Sequence, residues 1–533
     1  MISLSDEKKP APLEEANESL PNPEDEDIII HPQRTSDPLD PLNWSWMRKH
    51  SILGIVMLKY FLFTYITTTT VPSFPAIQSQ FNVSYDQVNW TVAIPALGLS
   101  VGPLLWSSLA DIYGRRIIFI VGTIISLVSS IGAAVAHNYA GYMSARFFQG
   151  LGVSPGSTVG MAVVNDLFFD YERGQKLGLW VLALDSGLLL GPTFGGFLNL
   201  LSAAWINWFT VILFGVLLVL EILFMTETLY PRSLLLTQSL PPPHSHPDIN
   251  PEPPLSLEPK TNPPSSSSSS PSPITNTTPS IRRTQTLPLL NIHPIPGLHH
   301  PSPLSSIHRF LLTFRLPVII LAVTGYSFTW YWWILSIITM MPAAYASYTP
   351  LIQGLLFLGL LLGTVLSEIL VSGRLSDALM RRLTRRNAGV RVPEMRLWMV
   401  YPAMVATGVG LVVWGVSVQR GWHWGVGQVG LFLVASGIQV GNTITSAYIV
   451  DCYPLQSSSV VVFYAVVLNL SAFVNPFLIS PWQASAGWTW TFTAQALIVV
   501  GAGTGVFGCL HYFGGWMRAK TKMPGWRNAE FDS

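Results

Sequence analysis

Apolar runs of roughly 20 residues recur along this chain, and that length is what a helix needs to cross the hydrocarbon core of a bilayer. Twelve are legible: about residues 50–71, 89–109, 117–136, 140–163, 174–197 and 204–225, then about 314–340, 349–371, 397–417, 425–449, 459–480 and 488–513. In hydrocarbon each backbone polar group must be satisfied within its own span. The expected fold class is therefore all-α integral membrane, with twelve transmembrane helices in two six-helix halves. Composition agrees. Of 533 residues only 11% are charged and 49% are hydrophobic, whereas a soluble domain carries about 25% charged residues.

The two sets of six are separated by "LPPPHSHPDINPEPPLSLEPKTNPPSSSSSSPSP". A Pro/Ser-rich stretch of this kind cannot bury a core and reads as a flexible tether. The expected organisation is an N-terminal tail (1–48), an N-terminal half (49–225), a central linker (226–313), a C-terminal half (314–513) and a C-terminal tail (514–533). The acidic N-terminal tail lacks the apolar core of a signal peptide and reads as disordered.

Lysine and arginine set the orientation. With the N-terminus in the cytosol, all but three of the 29 fall in cytosolic segments. Arg420 alone lies in an outer loop, and Lys59 and Arg146 lie within spans. Both termini and the linker are thus expected to be cytosolic, with Trp44 and Trp46 beside Arg48 and Lys49 as an interfacial anchor. The net charge of +1 gives no global field for nucleic acid. Cys452 and Cys509 lie in or beside apolar segments, so neither a disulfide framework nor a cysteine-based zinc site is indicated. The eleven histidines lie in tails, loops or near span ends. No catalytic residue, metal or cofactor is expected, and an enzyme is not. A membrane sensor would favour a folded cytosolic domain where this chain has the linker.

A repeat supports the division into halves. "LADIYGRR" follows span 2 and carries Asp111, Gly114, Arg115 and Arg116; "GRLSDALMRR" follows span 8 and carries Asp377 and Arg381. Each is read as a latch at an inner gate, against the alternative of a solvated turn with an i,i+4 ion pair. Repeated halves suggest a transporter whose site lies between them near mid-membrane.

Span 5 contains "GLWVLALDSGLLLGPTFGGF". Gly187, Gly191 and Gly195 recur every four residues and form a groove that lets another helix approach closely. Pro192 removes one backbone hydrogen bond and favours a bend. Asp185 stands roughly 120° around the helix from the groove. A carboxylate near the midplane costs about 2.5–3.5 kcal/mol on insertion scales, and such residues usually face a cavity. Asp185 is read either as a proton-exchanging group tuned by Lys59 or Arg146, or as a packing ion pair with one of them.

With these motifs the chain resembles the major facilitator superfamily over about residues 36–515, and more narrowly its fungal twelve-helix drug:proton antiporters. The resemblance rests on Asp111, Gly114, Arg115 and Arg116 after span 2, although Ser107 and Ile112 depart from the usual pattern there. It rests also on Arg146, Gln149 and Gly150 in span 4, and on Gly178, Gly187, Gly191, Pro192, Gly195 and Gly196 in span 5. The entry segment "DPLDPLNWSWMRK" completes it. The resemblance implies that the span 5 seam packs against helix 8. It implies alternating access and export of a small organic molecule in exchange for protons, with the proton gradient in place of any cofactor. The other partner is the lipid bilayer, the expected state is a monomer, and the expected location is the plasma membrane or alternatively the vacuolar membrane. Uptake symport or facilitation is the competing transport reading.

Further candidates are Glu221 and Glu368, toward the inner ends of spans 6 and 8, where each either titrates or reaches water. Gln149, Gln439, Asn442, Asn469 and Asn475 bond either cargo or neighbouring helices. Trp330 and Trp333 either stack on a planar cargo or belong to an outer aromatic belt. Lys59 and Arg146 against Asp185 leave the N-terminal half's site near +1, which favours neutral or anionic cargo over polycations. Among N-glycosylation sequons, Asn82 in the outer 1–2 loop is expected to be used rather than Asn89 at the start of span 2. Asn17 and Asn276 lie on the cytosolic side and are expected to stay unmodified.

Overall fold

The computed structural model describes residues 37–230 and 302–521; the N-terminal tail to residue 36, linker residues 231–301 and the chain beyond 521 lie outside the described residues, as do the side chains of 170, 171, 173–175, 372–374 and 377. The described residues form helices and no strand.

Helix 1 is Trp46–Thr68, helix 2 Tyr85–Tyr113 and helix 3 Arg115–Ala134. Helix 4 comes in two pieces, Tyr139–Val153 and Pro155–Leu167, followed by helix 5 (Asp170–Asn199) and helix 6 (Ala204–Phe224). Helix 7 is Pro317–Ala344 and helix 8 begins as Pro350–Val371. Helix 9 is Val400–Gln419 and helix 10 Trp424–Cys452. Helices 11 and 12 run end to end from Pro454 to Lys520. Gly487, with φ 74° inside that stretch, breaks the run and divides it into two crossings.

Among the described residues ten stretches, Pro454–Lys520 one of them, are long and apolar enough to cross a membrane. The divided Pro454–Lys520 stretch supplies one more crossing and the two-piece helix 4 another, so the twelve-helix expectation holds. The break in helix 4 has a local cause. Pro155 has no N–H to give the Leu151 carbonyl four residues back. That oxygen instead accepts from the Trp106 indole at 2.8 Å and the Ser154 hydroxyl at 2.7 Å.

Two boundaries differ from expectation. Helix 2 extends past 89–109 at both ends. A Ser84/Gln87 capping box starts it, and Gly114 at φ 103° turns the chain into helix 3. The linker also ends earlier than 313. Ser305–Thr313 is a helix, with Ser306 and Ser305 bonded to Ser108 of helix 2 and Phe310 packed on Phe463 of helix 11.

Each half has its own buried core, but the cores are not confined to the halves. One holds Ile52, Val56, Leu99, Phe119, Val163 and Phe214 of the N-terminal half. The other holds the C-terminal half and also Val71, Phe74, Val88, Val92, Leu188 and Leu189. Those six lie toward the end of the N-terminal half opposite the arginine-rich loops. At that end the halves share one apolar core, and Tyr85 of helix 2 donates to the Thr339 carbonyl of helix 7 at 3.2 Å.

Candidate functional site between the halves

Helix 5 lies between helix 1 of its own half and helix 8 of the other. Its groove faces helix 1, not helix 8 as the resemblance implied. A Cβ on Gly187, Gly191 or Gly195 would collide with the Phe61 carbonyl, the Thr68 hydroxyl or the Thr69 carbonyl respectively. Two helix 1 threonines use this proximity. Thr64 donates to the Leu184 carbonyl at 2.5 Å and Thr68 to the Leu188 carbonyl at 2.8 Å. Helix 8 meets a different face. Gly196 abuts Pro350, Leu351 and Gly354, the Pro192 carbonyl lies against Gly354, and Thr193 donates to the Gly354 carbonyl at 2.9 Å. Gly178, at the other end of the motif, stands beside Glu368.

Neither intramembrane cation pairs with Asp185, which overturns both expected partnerships. Lys59 is fully buried and donates to Glu221 Oε1 at 3.1 Å, to the Phe119 carbonyl at 2.6 Å and to Thr123 Oγ1 at 2.8 Å. Thr123 donates in turn to Glu221 at 2.9 Å. Glu221 is fully buried and does not reach water. Arg146 donates to Gln149 Oε1 at 2.8 Å, the Ile66 carbonyl at 2.5 Å and the Thr91 carbonyl at 3.1 Å. Gln149 donates to Ser130 at 2.8 Å. Arg146 and Gln149 therefore tie helices 1, 2, 3 and 4 together rather than face cargo. Arginine suits that role because its fork can donate to several acceptors at once.

Asp185 instead points toward the C-terminal half. It is 8% exposed, and no described residue donates to its Oδ2. It faces the Glu368 carboxylate of helix 8 and the Gln439 amide of helix 10. Gln439 donates to Glu368 Oε2 at 2.9 Å, as does Thr443 at 2.9 Å. Four tyrosines complete the surroundings within electrostatic reach of Asp185: Tyr60 of helix 1, Tyr326 and Tyr331 of helix 7, and Tyr464 of helix 11. Tyr464 donates to Asn442 and Tyr326 to the Ile438 carbonyl. Tyr60 stacks on Trp180 with ring centroids 4.0 Å apart.

Two π-helical turns border this site, Ser327–Tyr331 in helix 7 and Glu368–Leu375 in helix 8. A π turn adds a residue to the helical register and re-aims the side chains around it. Tyr331 and Glu368 stand at its limits. The expected positive excess is absent here, because Lys59 is neutralised by Glu221 and Arg146 is bound elsewhere.

The other candidates fall outside the site. Trp330 and Trp333 are buried, so they form neither a belt nor an open stacking surface. Trp330 donates to Thr407 of helix 9 at 2.9 Å, and Trp333 packs on Trp482 with centroids 6.0 Å apart. Asn469 donates to the Ala465 carbonyl of its own helix at 2.8 Å. Asn475 joins helix 11 to helix 7 through Ser336 at 2.9 Å.

At the arginine-rich end, Arg115 bonds Asp111 and also stands 3.6 Å from Asp166 of helix 4. The Arg115–Asp111 contact is the i,i+4 ion pair of the alternative reading, but with the Arg115 side chain only 6% exposed it is not a solvated one. Glu227 caps helix 3 by accepting the backbone N–H groups of Arg115 at 2.9 Å and Arg116 at 3.2 Å. A cavity of about 30 Å³ between this latch and helix 11 is lined by Ser107, Asp111, Arg115, Ser457 and Ser458. In the second repeat the Asp377 side chain lies outside the described residues, and Arg381 is exposed. Among the described residues at this end, Asp451 binds arginine, at 3.1 Å from Arg391 and 2.7 Å from Arg396, and Glu394 binds Arg518 at 2.7 Å.

Sequence reasoning missed Asp166, Glu227, Asp451 and the four tyrosines. Asp166 and Asp451 each stand one residue before the end of helices 4 and 10 respectively. The tyrosines carry no comparable signal, since aromatic residues are abundant in every span.

Residues 56–476 match the family model described as Major Facilitator Superfamily. The chain is 27% identical over 450 residues to the "Probable efflux pump mfs2" of Aspergillus flavus, covering 84% of this chain and 98% of that protein. It is 24% identical over 538 residues to "Protein HOL1" of Saccharomyces cerevisiae, covering 93% and 91% respectively. Among solved structures, the partially occluded inward open xylose transporter XylE from E. coli superposes with a TM-score of 0.58 at 14% identity, covering 88% of this chain and 98% of that one. That likeness is one of fold. A match over most of the sequence, on twelve helices in two halves with a polar site between them, leaves one assignment: the chain is a multi-pass membrane transporter and belongs to the Major Facilitator Superfamily.

Proposed function

We propose that this transporter exports small organic molecules in exchange for protons, by alternating access to the site between its halves. One observation carries the reading. Asp185 offers an unpartnered carboxyl oxygen at the junction of the halves, with a second carboxylate opposite it on helix 8. Two carboxyls in one desolvated site favour uptake of a proton by one of them. Rocking of one half against the other changes that environment, so the site loads protons on one face and releases them on the other. The complete glycine–proline pattern of helix 5 and the efflux pump among the relatives support export over uptake. The cargo crosses without chemical conversion, the proton gradient is the only driving force, and a monomer suffices. The arginine-rich end faces the cytosol and the plasma membrane is the site of action.

The experiment has two steps. Metabolite profiling of cells with and without the protein identifies a compound that accumulates inside when the protein is missing. Flux of that compound is then measured in reconstituted vesicles with and without an imposed pH gradient. The gradient should accelerate wild-type flux. Asp185→Asn, similar in size but unable to exchange the proton, should lose the acceleration and retain downhill exchange. Equal acceleration in a well-folded Asp185→Asn variant would exclude the coupling role, and intracellular depletion of the compound in cells lacking the protein would exclude export.

A further inference from the structure

The arginines between helices 8 and 9 divide into two sets. Arg391 and Arg396 pair with Asp451, and Arg518 of helix 12 takes Glu394, so both of those carboxylates are already claimed. Arg381, Arg382, Arg385 and Arg386 stand on a separate helix, Ser376–Arg386, which continues helix 8 beyond its apolar stretch. All four are exposed, and none of their side chains ion-pairs or hydrogen-bonds with a described residue. At about 100° per residue they share an arc of about 140°. Met380, which is buried, and Leu383, which is half-buried, lie on the opposite side. Ala378, the small residue inside the arc, lines with the four arginines an open groove of about 480 Å³. Guanidinium groups left side by side repel one another, and an anion among them removes that cost. The groove also lies at the depth of lipid headgroups. Thr384 Oγ1 stands 4.0 Å from Met395 Sδ in Pro393–Met399, the turn that leads into helix 9. In the same turn Trp398 is exposed, and Glu394 holds Arg518 near the end of helix 12, where Lys520 lies 4.2 Å over the exposed Trp516 ring. Exposed tryptophans at span ends mark the membrane–water interface.

We propose that this arginine face binds an anionic phospholipid of the cytosolic leaflet, gripping a phosphomonoester headgroup between its guanidinium forks. This rests on the cytosolic placing of the arginine-rich end given above. Each fork can donate to two phosphate oxygens at once. A phosphomonoester offers close to two negative charges and three acceptor oxygens at neutral pH, so several forks can share it. Basic residues just outside a span draw anionic lipid, and each one near the surface adds to the pull. A free phosphate would meet the same forks but lack the anchorage of acyl chains.

The test reads lipid binding to the purified full-length protein in a neutral detergent, so it depends on neither flux nor orientation in a cell. The probes are dioctanoyl phosphatidic acid, dioctanoyl phosphatidylcholine and glycerol 3-phosphate, which is the first lipid's headgroup without its chains. Phosphatidic acid should bind at least about tenfold more tightly than phosphatidylcholine, and should weaken several-fold when salt is raised from about 0.15 M to about 0.5 M. Arg381→Gln with Arg382→Gln, and separately Arg385→Gln with Arg386→Gln, should each cut that affinity about tenfold. Arg420→Gln in the outer loop should leave it unchanged. The four arginines are exposed, and an unchanged elution profile on size exclusion shows that each variant is folded. Equal affinity for the two lipids, full affinity in both arginine-pair variants, or glycerol 3-phosphate binding as tightly as the lipid would each overturn the proposal. Displacement of the lipid by an equimolar peptide of the chain's own acidic residues 14–27 would also overturn it, by making a protein segment the occupant. Should binding hold while a tag at the C-terminus is reached from outside intact cells, the headgroup site stands and the cytosolic placing falls.

Discussion

Thr68 of helix 1 donates its hydroxyl to the carbonyl of Leu188 on helix 5 at 2.8 Å, and Leu188 is the acceptor that Pro192, four residues on, leaves without its helical N–H. The proline and the threonine are thus two parts of one device, and the glycine groove brings the helices close enough to complete it.

Thr68→Val preserves shape and removes the donor. A buried carbonyl then loses its partner, at a cost of about 1–3 kcal/mol. The thermal midpoint of the purified protein should fall. Pro192→Ala in the Thr68→Val background should recover part of the loss, because alanine restores the N–H that Leu188 lacks. A double-mutant cycle with no coupling between the two positions would contradict this account.

Gly191 and Gly196 belong to one sequence motif but meet different neighbours, so equal substitutions should fail differently. Gly191→Leu forces helix 1 away from helix 5 inside one half and should cost about 3 kcal/mol or more, seen as aggregation on size exclusion. Gly196→Leu obstructs the contact with helix 8 between the halves. It should yield folded protein whose flux is reduced several-fold at equal surface expression.

Removing one member of the Lys59–Glu221 pair strands a buried charge, which costs about 3–5 kcal/mol. Lys59→Met and Glu221→Gln should each be severely destabilised. The combined Lys59→Met, Glu221→Met protein should be more stable than either, as measured by denaturation midpoint. Additive losses would show that the two side chains do not act as a pair.

Arg115→Ala removes the link between Asp111 and Asp166 at the arginine-rich end. Opening of that end should then be more frequent. In a background lacking Cys452 and Cys509, a reporter introduced as Ser107→Cys should react several-fold faster with a water-soluble thiol reagent than when Arg115 is present. An unchanged rate would mean that the latch does not hold this end shut.

Span number, the division into halves and the place of Asp185 on helix 5 were legible in the sequence, because apolar length and helical angle are local properties. The Gly487 break and the broken helix 4 left the spans recognisable, since hydropathy does not depend on unbroken helix geometry. The partners of charged residues were not legible. Asp185, Lys59 and Arg146 looked like one cluster because they share one half and one depth. Their side chains diverge, and angle around one helix says nothing about which helix stands opposite. Glu221 was the true counter-ion of Lys59, 162 residues away in the chain. The glycine groove was visible as a close-packing surface, but its partner depends on how helix 5 is rotated within the bundle. Tyr331 and Glu368 are aimed by π turns, which leave no hydropathy signature.

The shared apolar core at the end opposite the arginine-rich loops has an energetic meaning. Opening there must part Val71, Phe74, Val88, Val92, Leu188 and Leu189 from the C-terminal half, and each 100 Å² uncovered to water costs about 2.5 kcal/mol. Opening of that mouth is therefore expected to need compensation, from closure at the arginine-rich end or from occupancy of the central site.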